Sequence, residues 1–292
     1  MMRKLAALAG VLALLLAALA LALPTILHTA GLHPDYSGEK VSLAEGKRAL
    51  VITTSHGVLA APGESGGKPS GVMASEMTHP YYNFLDAGMT VDVASVKGGE
   101  IPVDPQTLLY MIRTPEDERF LADPVLQAKV KNSLPIADVD FTGYDIIFLS
   151  GGWGAAYDLG YSAVLARKIS EAYYARTPVI GGVCHGVLGL INAQNRDGEL
   201  LIAGRRMTGV SDKQIKELGI EITPQHPETA LRKAGALYES RSAFRDFFAT
   251  HVVVDEEQRF VTGQNQNSSH ETAQKMLAIV AGQVQSPLQP AL

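Results

Sequence analysis

The sequence predicts an α/β domain built on a doubly wound, mostly parallel sheet, on three observations. Short runs rich in Val, Ile and Leu recur at residues 49–53, 90–95, 145–149 and 178–183. Segments with helical patterning separate them. The runs end in hydroxyl residues and glycines, as at Ser95, Gly98 and Gly99, and again at Ser150, Gly151 and Gly152. Strands alternating with helices imply parallel pairing by crossover connections, with helices covering both faces.

The elements follow in chain order. Residues 49–53 form a buried first strand, a short β-branched run ending in polar residues, followed by a Gly/Pro/Ser-rich loop over 57–71. A helix is expected over 72–87, stopped by Gly88, and a second strand over 90–95. Helical stretches are expected at 105–111 and 116–132, a third strand at 145–149 and a helix at 162–175. The fourth strand, 178–183, leads into a helix over 185–192. Residues 200–203, 252–254 and 260–262 read as later strands, and 268–281 as a closing helix.

Ahead of the domain, Arg3 and Lys4 precede an uncharged apolar run over 5–27, long enough to cross a bilayer as a helix. Small residues at Ala18, Ala20 and Ala22 also fit a cleavage site, so a retained anchor and a removed signal peptide both stay open. Either way the two cations are expected to stay cytoplasmic, with the domain on the opposite side of the membrane, or secreted or periplasmic after cleavage. The expected divisions are an anchor or signal over 1–28, a linker over 29–46, the α/β domain over 47–283 and a tail over 284–292.

Composition excludes several classes. Of 292 residues, 46% are hydrophobic and 19% charged, which suits a packed domain rather than a disordered chain. The net charge of −5 and the lack of any Lys/Arg stripe argue against nucleic acid as a partner. A single cysteine rules out an intrachain disulfide and a thiolate zinc cage. His56, His79, His251 and His270 show no metal-ligand spacing, so no metal or organic cofactor is expected.

That cysteine, Cys184, sits in Gly182, Val183, Cys184, His185, Gly186, between a strand and a helix. A lone cysteine is by default buried filler. Here the G-x-C-x-G pattern matches a nucleophile elbow, in which small flanking residues let a strained turn lift the side chain above the carboxyl end of the sheet. The following helix N-terminus is expected to lower the thiol pKa, and backbone amides of His185, Gly151 and Gly152 to form an oxyanion hole.

These residues resemble the elbow of the ThiJ/PfpI superfamily, whose fold is flavodoxin-like and class I glutamine amidotransferase-like. Within it, the glutathione-independent glyoxalases (glyoxalase III), also described as heat-shock chaperones, are the branch most similar. Five further segments carry the likeness: 71–84 with Glu76, 98–105, 151–158, and the loops at 208–211 and 261–265. The resemblance spans about residues 46–283. It implies that Glu76 lies against the Cys184 sulfur, that His185 is the general base, and that the protein is often dimeric. Two positions depart from the pattern. Trp153 stands where relatives carry a histidine, adding an aromatic wall at the pocket. Gln214 or Ile215 stands where many relatives place the glutamate that orients the histidine, leaving Asp212 and Glu217 as substitutes.

The resemblance implies a cysteine-dependent lyase of the D-lactate dehydratase class, converting small α-oxoaldehydes such as methylglyoxal to 2-hydroxy acids (D-lactate) without glutathione or metal. Two alternatives stay open. One is an amide hydrolase (a peptidase or glutamine amidotransferase-like enzyme), for which Gln225, His226, Pro227 and Glu228 superficially match a His-Pro-Glu motif, although Pro227 reads better as a helix start. The other is a membrane-tethered chaperone or thiol oxidation sensor, which a single reactive thiol would suit.

Overall fold

The computed structural model describes residues 2–64, 66–175 and 178–285. The central sheet has seven strands: β1 (Arg48–Thr53), β2 (Thr90–Ser95), β3 (Leu134–Pro135), β4 (Ile146–Leu149), β5 (Val179–Val183), β6 (Val252–Val254) and β7 (Phe260–Gly263). Their spatial order is β6-β7-β5-β4-β1-β2-β3, and every pair is parallel except β6 with β7. From β1 the chain first winds outward to β3. It then returns beside β1 as β4 and winds the other way. The reversal falls between β1 and β4, where such sheets open a crevice at their carboxyl ends.

The strands read as continuous apolar runs because both faces are covered. In β1, Leu50 and Ile52 point into a core with α6 (Ala163–Ala175) and the short helix after β5, meeting Leu165, Ile169 and Leu188. Ala49 and Val51 point the other way, to Met77, Phe84, Phe148, Met276 and Leu277 beneath α2 (Ala74–Asp86) and α9 (Ser269–Gln285).

The sequence reading differs from the structure in a few places, each with a local cause. The helix expected over 116–132 is two, α3 (Pro115–Ala122) and α4 (Pro124–Lys131). Asp123 ends one and caps the other by accepting the Val125 and Leu126 amides, with Pro124 at the first helical position. Residues 200–203 form no strand: Leu200 makes an isolated bridge to Gln194 and 201–203 are turns, bracketed by left-handed Gly198 and Gly204. The helix at 105–111 shrinks to a 3₁₀ turn over Pro105–Leu108, and the one after β5 is a 3₁₀ helix, Cys184–Leu190. Three short helices complete the chain order used below: α5 (Ala155–Asp158), α7 (Asp212–Leu218) and α8 (Pro227–Lys233).

At the N-terminus, α1 (Met2–Thr29) is a single apolar helix whose window from Lys4 to Thr29 has mean hydropathy 2.7 and no burial against the domain. The segment expected as a linker is fastened to the domain. Leu32 is buried, the His33 amide donates to Asn267 Oδ1 at 2.8 Å, Asn267 Nδ2 donates to the Gly31 carbonyl at 2.7 Å, and the Leu43 amide donates to the Ala87 carbonyl. Of the tail expected over 284–292, residues 286–292 lie outside the described residues.

Candidate active site

Two strand ends and one helix build the site. β5 delivers Cys184 with φ of +57°, one of three non-glycine residues described with positive φ. That left-handed backbone is costly for a side chain with a Cβ, and it is the strained turn that raises a nucleophile above a sheet. The glycines around it are required by approach rather than by turning. A methyl at Gly186 would run into the carbonyl of Leu149 on the neighbouring strand β4. One at Gly151 would meet Glu76 Oε2 and come within 2.8 Å of both the His185 nitrogen and the Val183 oxygen. The β4 exit therefore packs directly onto the elbow.

Glu76 comes from the first turn of α2 and is fully buried. Burial pushes its pKa up to about 8, held from rising further by the adjacent Cys184 thiol and the Gly151 and Gly152 amides. Its oxygens make no hydrogen bond of full geometry, so these neighbours act at close range without saturating it. Cys184 is 7% exposed. Burial also pushes its thiol well above the ordinary cysteine value, and a negative charge on Glu76 would push it further, while the His185 and Gly152 amides favour the thiolate. The expectation of a thiol pKa lowered by a helix N-terminus is thus corrected. The element is a short 3₁₀ helix, and desolvation outweighs the amides that face the sulfur. Two acids in one dry site titrate as a pair, and the direction that follows from their burial is that both hold protons tightly at neutral pH.

His185 is fully buried, with Nδ1 3.4 Å from Cys184 Sγ and no hydrogen-bond partner on Nε2. Burial, helped by the neighbouring His226, drops its pKa to about 3, so the ring is a neutral imidazole. No carboxylate faces it. Asp212 accepts from Thr229 Oγ1 at 2.7 Å and its amide donates to Glu228. Glu217 accepts the Asp246 amide at 2.8 Å and pairs with Lys213. The two expected substitutes are therefore spent on holding α7 to its surroundings. Gln214, at the position in question, joins an amide chain: it accepts from Asn265 Nδ2 at 2.9 Å and donates to Gln266 Oε1.

Trp153 stands at the pocket, its indole edge-on to the His185 ring at 5.1 Å between centroids. Cys184, His185, Gly152 and Trp153 open into a cavity of about 280 Å³, which Met73, Ile112, Gln214, Leu218, Ile220, Phe247 and Gln266 also line. Sequence reading missed most of these walls. Phe247 and Ile112 lie 63 and 72 positions from the cysteine, with no motif to mark them. Tyr157, four residues after Trp153, lies outside the pocket lining, stacking on His56 and bonding to the Ala60 carbonyl. His226 lines a separate cavity with Tyr161, Asn192 and Thr229 while lying near enough to His185 to disfavour its protonation, and Pro227 opens α8. Among the described residues no group of three or more His, Cys, Asp or Glu is arranged to hold a metal ion.

A parallel sheet with an elbow cysteine at its switch point and a buried glutamate beside the sulfur defines a class of α/β proteins with a cysteine nucleophile. Residues 69–279 match the DJ-1/PfpI family, and the chain belongs to that family. The resemblance drawn from the motifs is borne out at this level. The glutathione-independent glyoxalase HSP31 of Saccharomyces cerevisiae is 29% identical over 223 residues, covering 72% of this chain and 89% of its own. Among solved structures, the 24-kDa Rapid Encystment Protein of Francisella tularensis superposes with TM-score 0.73 at 33% identity, covering 80% of this chain and 99% of its own. Glyoxalase III of Candida albicans superposes with TM-score 0.70 at 27% identity, covering 80% and 96%.

Proposed function

We propose that this chain is a cysteine-dependent, glutathione-independent glyoxalase that converts α-oxoaldehydes to 2-hydroxy acids. The observation that carries the reading is the dry Glu76–Cys184 pair. A carboxyl with a pKa of about 8 has the proton affinity needed to take a thiol proton and return it at neutral pH. The names of the related glyoxalases support the same reaction class.

In the working form the pair has lost one proton, from the Glu76 carboxyl, which holds it less tightly than the thiol, and the carboxylate takes the thiol proton as the sulfur attacks. The sulfur adds to the aldehyde carbon, and the Glu76 carboxyl gives its proton to the carbonyl oxygen, leaving a hemithioacetal beside a Glu76 carboxylate. The Gly152 and His185 amides, which already face the sulfur, stabilise the oxyanion as it forms. The C1 proton then leaves to the Glu76 carboxylate, and the electron pair moves to the C2 oxygen as an enediolate. Glu76 returns the proton to C2 while the C1 hydroxyl proton passes to the C2 oxygen, giving the thioester of the 2-hydroxy acid. In this step C1 is oxidised and C2 reduced, with no external oxidant. Water cleaves the thioester, releasing the acid and restoring the thiol. His185, expected as the base, binds a proton too weakly for that work at neutral pH. Its unpartnered Nε2 suits it to hydrogen-bond the C2 oxygen instead.

Methylglyoxal consumption and lactate release by the full chain test this. Equal rates for the protein and its Cys184→Ala variant would overturn it. We further propose that α1 anchors the domain to the membrane with the domain on the non-cytoplasmic side, a reading supported by the uncharged helix downstream of Arg3 and Lys4. Release of the protein by alkaline carbonate washing would contradict the anchor.

A further inference from the structure

We infer that the preferred substrates are α-oxoaldehydes carrying a bulky apolar group, of aromatic or branched-chain size, rather than methylglyoxal. This rests on the glyoxalase reading and concerns the same pocket.

The cavity is lined by Met73, Ile112, Trp153, Leu218, Ile220 and Phe247, which come from five separate stretches of chain and converge on the sulfur. At about 280 Å³ it sits just below the usual range of small-molecule clefts, roughly 300–1,000 Å³. Methylglyoxal offers a single methyl beyond its two reacting carbons, so most of this wall would stay unpaired.

Most of the polar side chains in the wall are already committed to the protein, the exposed Gln106 excepted. Asp104 accepts from Ser70 Oγ at 3.0 Å and from the Gln106 amide at 2.9 Å. Thr107 Oγ1 donates to the Asp104 carbonyl and accepts the Ala74 amide. Gln214 is bonded to Asn265 and Gln266, and Gln266 Nε2 donates to the Phe247 carbonyl at 2.7 Å. Among the buried polar atoms of the wall the free one is His185 Nε2, beside Cys184. A ligand matching this pocket has one polar end, the two adjacent carbonyls, and an otherwise apolar body. A sugar-like or multiply hydroxylated aldehyde would leave its hydroxyls desolvated and unpaired against these side chains. Trp153 contributes most directly, because its indole abuts His185 and so borders the carbon next to the reacting pair.

The test compares phenylglyoxal with methylglyoxal on the full chain in lipid nanodiscs, measuring mandelate and lactate release, with Cys184→Ala as the blank. Extra carbons in a matched apolar pocket are worth about 10–200-fold each at best, so kcat/KM for phenylglyoxal should exceed that for methylglyoxal at least about tenfold. Trp153→His and Phe247→Leu should each lower that ratio about fivefold or more, chiefly through KM for phenylglyoxal. Turnover of both aldehydes with methylglyoxal equal or favoured overturns this inference and leaves the glyoxalase reading standing. Turnover of neither above the blank overturns both. A high ratio unchanged in both variants overturns the assignment to this pocket wall.

Discussion

Replacing Glu76 with glutamine should make the protein more stable while removing its activity. The side chain is fully buried, and its pKa rises from an ordinary 4.5 to about 8 in the fold. Between those two values the folded state keeps a proton that the unfolded chain releases. Because the folded pKa is raised, this linkage favours folding less and less as pH climbs through that window. At pH 7 the cost integrates to about 3 kcal/mol, and near pH 4.5 it is close to nothing. Glutamine has nearly the same shape and no ionisation, so Glu76→Gln should escape the cost. For a domain of this size that corresponds to a rise in Tm of roughly 6–12 °C at pH 7. The assay is thermal unfolding of the full chain and the variant at pH 5, 7 and 8. The gap between them should widen with pH. A gap that stays constant across this range, or that narrows, would show that Glu76 is not the tight proton holder described here, and the proposed proton transfers would lose their carrier.

Three further outcomes follow from the same geometry. Since the pair must lose one proton to work, kcat/KM for aldehyde should climb about tenfold per pH unit below about pH 8 and level off above it. A limb centred near the ordinary histidine value would instead assign the step to His185, which burial holds neutral far below that. Gly151→Ala drives a methyl into Glu76 Oε2 and the elbow backbone, and turnover should fall about a hundredfold or more with a lowered melting temperature; a variant with normal rates would mean that the β4 exit does not shape the site. His226→Ala should leave aldehyde turnover within about threefold, because His226 lines a different cavity. Loss of an ammonia-releasing activity on glutamine in that variant would support amide hydrolysis instead.

The sheet was legible because its strands are buried on both faces. Runs such as Ala49 to Thr53 carry that burial openly, and observed ends differ from expected ones by a residue or so. The elbow was legible because a strand-to-helix turn with a side chain at its apex admits little but glycine nearby. Glu76 was not legible from physics alone. On sequence it is one carboxylate in a polar helix, and only tertiary packing buries every residue of α2 from Ala74 to Phe84. The fates of Asp212 and Glu217 depended on Thr229 and Asp246, partners 17 and 29 positions away, which no local pattern announces. The expected fall in the Cys184 pKa failed for the same reason: local motifs show the amides that favour a thiolate, but not how much water the fold removes.

The left-handed backbone at Cys184 has an evolutionary implication. With φ of +57°, this position would accept glycine or asparagine more comfortably than cysteine. Drift guided by folding alone would therefore erase the nucleophile and be rewarded by about 1 kcal/mol for doing so. A lineage that keeps cysteine there, next to a desolvated carboxyl, holds two residues that folding disfavours within one small volume. Retention of both against that pressure would itself record that the chemistry is under selection.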